Sequence, residues 1–386
     1  MDFSFTKDQK FFRDQVRRTL QHLVVPYAEA IDRDDRFPHE VFGQLGRLGY
    51  FGIRYPEEIG GMGADCVTFT ILAEELAKVS IGLAAVVTMQ CLMGTDFIYR
   101  FGSKEQRERC LIPAIKGQRI GTIAFTEPDC GSDLGSIKTR AVKDGGEYVI
   151  TGRKLWITNG QVADFVTVAA TTDPEKRLDG LGFFLVEKGT HGFSVGQKIN
   201  KISARGASTS ELIFEECRVP KENLLGQEGK GAKQLDDILS EIRTMIAGLG
   251  LGLAKSAFAA GLRYATEREA FGRTIGNFQL IQEKIAEMEM RIRASEFLTY
   301  YAAWLKDTGV SMGKEAAMAK LYSTESACFV VDEVTRIHGA YGLAEEYPAQ
   351  RFFRDARFLL FGGGTSEILK TIIARDTLKK PERYYQ

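Results

Sequence analysis

Apolar residues recur at helical spacing through the first part of the chain. Phe11, Val16 and Leu20, then Val41, Leu45 and Leu48, then Phe69, Leu72, Leu76 and Val79 each mark one face of a helix. Leu111-Ile112-Pro113 reads as a helix end, because proline lacks the N–H that an interior turn needs. From residue 121 to 232 the period drops to two, with turn residues between the runs. Asp144-Gly145-Gly146 separates Ala141-Val142 from Tyr148-Val149-Ile150 and predicts a hairpin. Phe165–Val168, Leu181–Val186 and Glu211–Phe214 read as further strands. Helical spacing then returns in two long segments, 233–266 and 277–306. Gly248, Gly250 and Gly252 in the first of these suit close helix packing. The order is α, β, α, with predicted domains at 1–120, 121–232 and 233–386.

Composition narrows the function classes. The 386 residues carry 51 basic and 51 acidic side chains, which excludes a broad basic face for nucleic acid. A hydrophobic content of 44% with nine prolines excludes general disorder. No apolar run reaches the roughly 18 residues that suggest a membrane span, and the first residues lack the apolar stretch of a signal peptide. Six scattered cysteines without a CxxC pair predict a reduced, cytoplasmic setting. Four histidines far apart in sequence do not suggest a metal site.

Three polar clusters carry the candidate chemistry. Phe125-Thr126-Glu127-Pro128-Asp129-Cys130-Gly131-Ser132-Asp133 offers hydroxyls and backbone N–H groups that suit a phosphate or a flavin edge; the same residues also make a capped surface loop. Trp156-Ile157-Thr158-Asn159-Gly160 combines a large flat side chain with an Asn-Gly hairpin signal; a tryptophan there also reads as core. Phe361-Gly362-Gly363-Gly364-Thr365-Ser366-Glu367-Ile368 places free N–H groups before a helix, where an anion is stabilised.

Together with RGASTSELIFEECRVPKENLLG, ATEREAFGRTIGNFQLIQ and RDARFLLFGGGTSEI, these strings make the chain resemble the acyl-CoA dehydrogenase flavoproteins over its whole length. The resemblance implies an α+β fold: an N-terminal α-helical domain, a middle β-barrel or sandwich domain and a C-terminal four-helix bundle. It also implies FAD, an acyl-CoA substrate, an electron-transfer flavoprotein as electron acceptor, and a homotetramer. Carried over by position, Phe125 and Thr126 would lie against the flavin, and Ser132 would touch the pyrophosphate or pantetheine region. Trp156 would flank the ring, and Thr158 would bond its reactive nitrogen. Arg268, Phe271 and Gln279 would reach the FAD of a neighbouring subunit, and Arg336, Gly339, Thr365 and Glu367 would complete the adenosine-diphosphate site. Arg336 stands where the family more often has glutamine. Ser132, Arg243 and Gly363 are the expected substrate contacts.

One part of the family pattern is missing. The family removes a proton α to the thioester while a hydride leaves the β carbon for the flavin, and a glutamate takes the proton. The usual glutamate position is Gly363 here, and the alternative position, on the long helix before Arg243, is Ile242. Gly363 still offers a backbone N–H to the carbonyl. Two carboxylates are candidate replacements: Glu241, which also reads as an Arg-paired helix residue, and Asp96, which also reads as an i, i+4 partner of Arg100. Loss of the α base together with Asp96 resembles the branch that converts cyclohex-1-ene-1-carboxyl-CoA to a cyclic dienoyl-CoA in aromatic degradation. Asp96 would then take a γ proton in a 1,4-dehydrogenation. The rivals are a conventional α,β-dehydrogenase using Glu241, a non-catalytic flavin-binding subunit, and a flavin oxidase or monooxygenase.

Overall fold

The computed structural model describes residues 4–379 and residue 381. Helices α1 (Lys7–Leu23), α2 (Ala28–Asp34), α3 (His39–Arg47) and α4 (Cys66–Val79) open the chain. Thr6 begins α1 with a reciprocal cap: its hydroxyl accepts from Gln9 N–H while the Gln9 side chain accepts from Thr6 N–H. Helix α5 (Ile81–Thr88) runs through a π turn, Met89–Met93, towards α6 (Asp96–Phe101). Next come α7 (Lys104–Gln106), a second π turn (Arg107–Leu111) and α8 (Ile112–Ile115).

Pro113 does not close a helix as its sequence suggests. It sits at the start of α8, just past the π turn, where the missing N–H has no partner to lose. The segment 81–101 and the helix over 231–267 are long and apolar enough to cross a membrane by length and composition, yet most of each is buried within the protein.

The middle domain is one curled seven-stranded sheet rather than two packed sheets. Its strands are β1 (Gly121–Ala124), β2 (Arg140–Asp144), β3 (Glu147–Thr158), β4 (Phe165–Thr171), β5 (Leu181–Glu187), β6 (Phe193–Lys198) and β7 (Thr209–Pro220). The sheet order is β1-β4-β2-β3-β7-β6, with β5 paired to β4. β2 and β3 form the hairpin that Asp144-Gly145-Gly146 predicts, with Asp144 opposite Glu147. Asn159-Gly160 makes no hairpin: the chain leaves β3 there and reaches β4, which runs parallel to β1. Tyr148, Ile150, Val166, Val168, Phe184, Leu212 and Phe214 fill the sheet's own core.

The last third is helical, with α9 (Gly231–Glu267), a short hairpin of β8 (Glu269–Ala270) and β9 (Arg273–Thr274), α10 (Gln279–Asp307), α11 (Gly313–His338), α12 (Ala349–Phe358) and α13 (Ser366–Lys379). Helix α9 is the spine. At Gly252 an added Cβ would lie 2.2 Å from the Glu74 carbonyl oxygen of α4, and at Gly250 one would lie 2.9 Å from Ser323 Oγ of α11. Only glycine allows both backbones this close. One continuous apolar core joins the N-terminal helices to the bundle through Phe69, Leu72, Leu76, Ile242, Ile246 and Leu249.

Candidate active site

Sheet geometry brings the first two clusters together. The pairing of β3 with β7 slips between Lys154 and Ile157, and Trp156 lies in that bulge with φ +64°. The bulge turns the indole out of the sheet, leaving it 55% exposed, so the core reading of this tryptophan fails. Leu155 N–H donates to the Thr126 carbonyl at 2.8 Å and so binds the Phe125-Thr126 segment beside Trp156. Thr158, at the end of β3, is buried, and its carbonyl accepts from Thr122 Oγ1 at 2.6 Å.

A buried ion pair that the sequence analysis missed fixes this corner. Lys154 Nζ donates to the Phe125 carbonyl at 2.9 Å and to Glu127 Oε1 at 2.8 Å. Glu127 also accepts from the N–H groups of Lys138 (2.7 Å) and Thr139 (3.0 Å), which ties down the turn around Cys130. Burial pulls the Lys154 ammonium down to about 8, and Glu127 opposes that pull. Ser132 lies exposed on the same turn. Beyond it a polar cleft is lined by Ser136, Lys138, Arg140 and Arg177.

The third cluster is set by a second buried lysine. Lys320 of α11 donates to the Leu360 carbonyl at 3.0 Å and to the Gly364 carbonyl at 2.8 Å, stapling both ends of the glycine turn. Gly363 has φ +68°, a left-handed conformation in which glycine is unstrained. Thr365 Oγ1 accepts from Ile368 N–H at 3.4 Å and caps α13, while Glu367 is exposed. Arg243 Nε donates to the Gly363 carbonyl at 3.1 Å. A Cβ built on Gly363 would lie 3.0 Å from Ile246 Cδ1, 3.5 Å from Arg243 Cγ and 3.7 Å from Ile242 Cγ2. This side of α9 therefore meets the glycine turn with a cation and two isoleucines, and no carboxylate.

The two candidate replacement bases face other partners. Asp96 is 2% exposed. Its Oδ1 accepts from Arg54 Nη1 at 3.1 Å, and its Oδ2 lies 2.5 Å from Arg100 Nε without hydrogen-bond alignment. Glu241, one helical step from Ile242, is also buried; it pairs with Arg54, with Arg100 at 2.6 Å and with Lys306 at 2.8 Å. Burial would raise the Glu241 carboxyl, but the three cations outweigh it and hold the group at about 2. The i, i+4 pairing of Asp96 with Arg100 is present, joined by Arg54, a hub with no signature in the sequence.

The remaining candidates lie at the other end of the bundle. Arg268, Phe271, Gln279 and Gly339 are exposed, and Phe271 is 97% exposed. Arg268 lies over the Tyr341 ring at 5.9 Å, which brings it to the turn after Gly339. Arg336 is paired with Asp332 at 2.8 Å.

The half-exposed indole, the fixed Phe125-Thr126 segment and the capped glycine turn suit a flavin with a flat apolar ring and an anionic tail. Comparison with known proteins points the same way. Sequence profiles of the acyl-CoA dehydrogenase N-terminal, middle and C-terminal domains match residues 6–118, 122–217 and 229–378. The benzylmalonyl-CoA dehydrogenase of Aromatoleum aromaticum is 45% identical over 97% of this chain and 99% of its own. Butyryl-CoA dehydrogenase from Megasphaera elsdenii superposes with a TM-score of 0.95 at 34% identity, covering 98% of this chain and all (100%) of that one. A chain from the structure of the electron transferring flavoprotein of Acidaminococcus fermentans, described in terms of flavin-based electron bifurcation, gives a TM-score of 0.95 at 37% identity, over 98% and 100% of the two chains. The chain thus belongs to the acyl-CoA dehydrogenase family, FAD-dependent oxidoreductases that act on CH–CH bonds.

Proposed function

We propose that this dehydrogenase oxidises a 2-carboxyacyl-CoA, in which the α carbon loses CO2 instead of a proton. One observation carries the reading: there is no carboxylate at Gly363 or Ile242, and the two candidate replacements, Asp96 and Glu241, are held by Arg54, Arg100 and Lys306. A substrate with its own α-carboxylate needs no base. The bond from Cα to the carboxylate breaks, its electron pair stays on Cα as the thioester enolate, and CO2 departs. That pair becomes the Cα=Cβ bond as a hydride leaves Cβ. The Gly363 N–H would hold the thioester oxygen on which charge develops. FAD, when bound, accepts the hydride, and a solvent proton completes its reduction. The relative from Aromatoleum aromaticum is named for benzylmalonyl-CoA, a thioester of this class.

Phe125, Thr126, Trp156 and Thr158 would hold the flavin ring, with Thr365 and Glu367 at its tail. Ser132 would contact the pyrophosphate or pantetheine region. Arg268, Phe271, Gln279, Arg336 and Gly339 would meet the FAD of a neighbouring subunit in a homotetramer. The exposed ring of Phe271 supports such a covered surface. The likeness to the chain from the Acidaminococcus fermentans structure supports an electron-transferring flavoprotein as acceptor.

A second reading keeps cyclohex-1-ene-1-carboxyl-CoA as substrate and Asp96 as the γ base. It is favoured by the burial of Asp96 and by the lack of hydrogen-bond alignment at its Oδ2. Anaerobic mixing of the FAD-loaded enzyme with benzylmalonyl-CoA, cyclohex-1-ene-1-carboxyl-CoA and butyryl-CoA separates the readings. We expect flavin bleaching with the first, one CO2 released per flavin reduced. Bleaching by the cyclic thioester without CO2 would establish the second reading, and no bleaching by any thioester would mark a non-catalytic subunit.

A further inference from the structure

We propose that Arg243 is the receptor for the α-carboxylate of the substrate. This rests on the reading above and deepens it, by naming the group that selects a 2-carboxyacyl thioester. Arg243 is 7% exposed, on the side of α9 that meets the glycine turn. Its Nε is used by the Gly363 carbonyl at 3.1 Å. Among the described residues its two Nη groups have no protein acceptor, and no carboxylate pairs with it. Its surroundings disfavour the charge: burial lowers its proton affinity, opposed by the field of Asp236.

The contrast with the rest of this interface is the argument. Arg54, on a turn between α3 and α4, and Arg100 of α6 share two buried carboxylates between them, whereas Arg243, two residues from Glu241 on α9, has none. A buried guanidinium without an anion is unfavourable unless something supplies one. A Cβ at position 363 would lie 3.5 Å from Arg243 Cγ, so the glutamate of the family's pattern would start beside this arginine, and glycine puts no carboxylate there. A substrate carboxylate entering there would put back the one charge that this chain lacks relative to its family's pattern. The planar guanidinium offers two parallel N–H donors, the geometry a carboxylate accepts. Ile242 and Ile246 close the sides with apolar surface, which keeps water from the carbanion left when CO2 departs.

A cation held against a carboxylate stabilises the bound ground state, and that charge disappears as CO2 leaves. Arg243 therefore acts on affinity and selectivity, and its loss raises KM more than it lowers kcat. It is a binding residue in this scheme, not a base.

The test uses two unreactive CoA thioethers, S-(2-carboxy-3-phenylpropyl)-CoA and S-(3-phenylpropyl)-CoA. They differ only in the carboxylate, and neither has the carbonyl needed for decarboxylation or hydride loss. Dissociation constants are measured by calorimetry on FAD-loaded wild type, R243Q and R243K. A charge-assisted pair should make wild type bind the carboxylated thioether at least about 10-fold more tightly. R243Q should reduce that preference to less than about 2-fold and R243K should keep part of it; taking the ratio of the two thioethers within each variant cancels any loosening of the glycine turn, which affects both alike. No preference in wild type, or a preference that survives in R243Q, would overturn the assignment. If R243Q does not fold, the wild-type comparison and R243K still decide. The decarboxylation reading fails separately, if wild type releases no CO2 from benzylmalonyl-CoA.

Discussion

Asp96 of α6 and Glu241 of α9, 145 residues apart in sequence, are tied to the same two arginines. Arg54 and Arg100 lie between them, and Lys306 adds a third cation to Glu241. The cluster locks the N-terminal domain onto α9, one residue before the side of that helix that meets the glycine turn. Two carboxylates near an active site thus serve the interface between domains.

That arrangement sets the outcome for Asp96→Asn. Removing one buried anion leaves Arg54 and Arg100 sharing Glu241, which should cost about 3 kcal/mol of stability. Turnover per flavin should fall by less than about tenfold, short of the roughly 10²-fold or greater loss expected when a general base is removed. Urea unfolding and steady-state turnover on the same preparation check both. Unchanged stability with a 10²-fold loss of turnover would instead identify Asp96 as the base.

Gly363→Glu should restore deprotonation. The left-handed φ of +68° adds about 1–2 kcal/mol of strain for a residue with a side chain. The nearest obstacle is the flexible end of Ile246. Flavin bleaching by 3-phenylpropanoyl-CoA or butyryl-CoA should accelerate by about 10² or more, and affinity for a 2-carboxyacyl thioester should fall because two carboxylates would compete for Arg243. Anaerobic stopped-flow absorbance reads the first effect and calorimetry the second.

Stability should fall on acidification below the ordinary glutamate range. Burial raises Glu241 and Glu74, but Arg54, Arg100 and Lys306 around the first and Lys78, Lys255 and Arg13 around the second bring both to about 2. The folded pKa lies below the unfolded one, so the stabilisation is complete above about pH 4.5 and is lost as pH falls towards 2, on the order of 3 kcal/mol per group. Urea midpoints between pH 7 and pH 3 should drop, and Glu241→Gln should show a shallower drop from a lower starting value.

Lys320 gives the opposite limb. Burial brings its ammonium down to about 8, so between about pH 8 and 10.5 the unfolded chain holds a proton that the folded one has shed. Stability therefore gains from this group as pH rises through that window, and Lys154 contributes with the same sign. Lys320→Met should remove roughly half of that slope and release the carbonyls of Leu360 and Gly364, lowering kcat/KM about tenfold through a looser glycine turn. Denaturant midpoints against pH, with kinetics at fixed pH, check both.

Periodicity and local strings determined much of this protein. The α, β, α order, the Asp144-Gly145-Gly146 hairpin, the two long helices and the glycine turn follow from neighbours in sequence, because helix and strand spacing and turn chemistry are local properties. The empty base positions, Gly363 and Ile242, were also legible, since the family's pattern fixes which residue type belongs there. Lys320 left a trace as a lysine on the buried stripe Ala316, Lys320, Ser323, Thr324 and Ala327. What decided the site was tertiary. The bulge that exposes Trp156 arises from the pairing of β3 with β7, and Arg54 becomes a hub only where the N-terminal helices meet α9. Whether Asp96, Glu241 or Arg243 has a counter-charge depends on side chains contributed by distant segments. No spacing rule encodes such a pairing, because Coulomb energy and desolvation depend on distance in space.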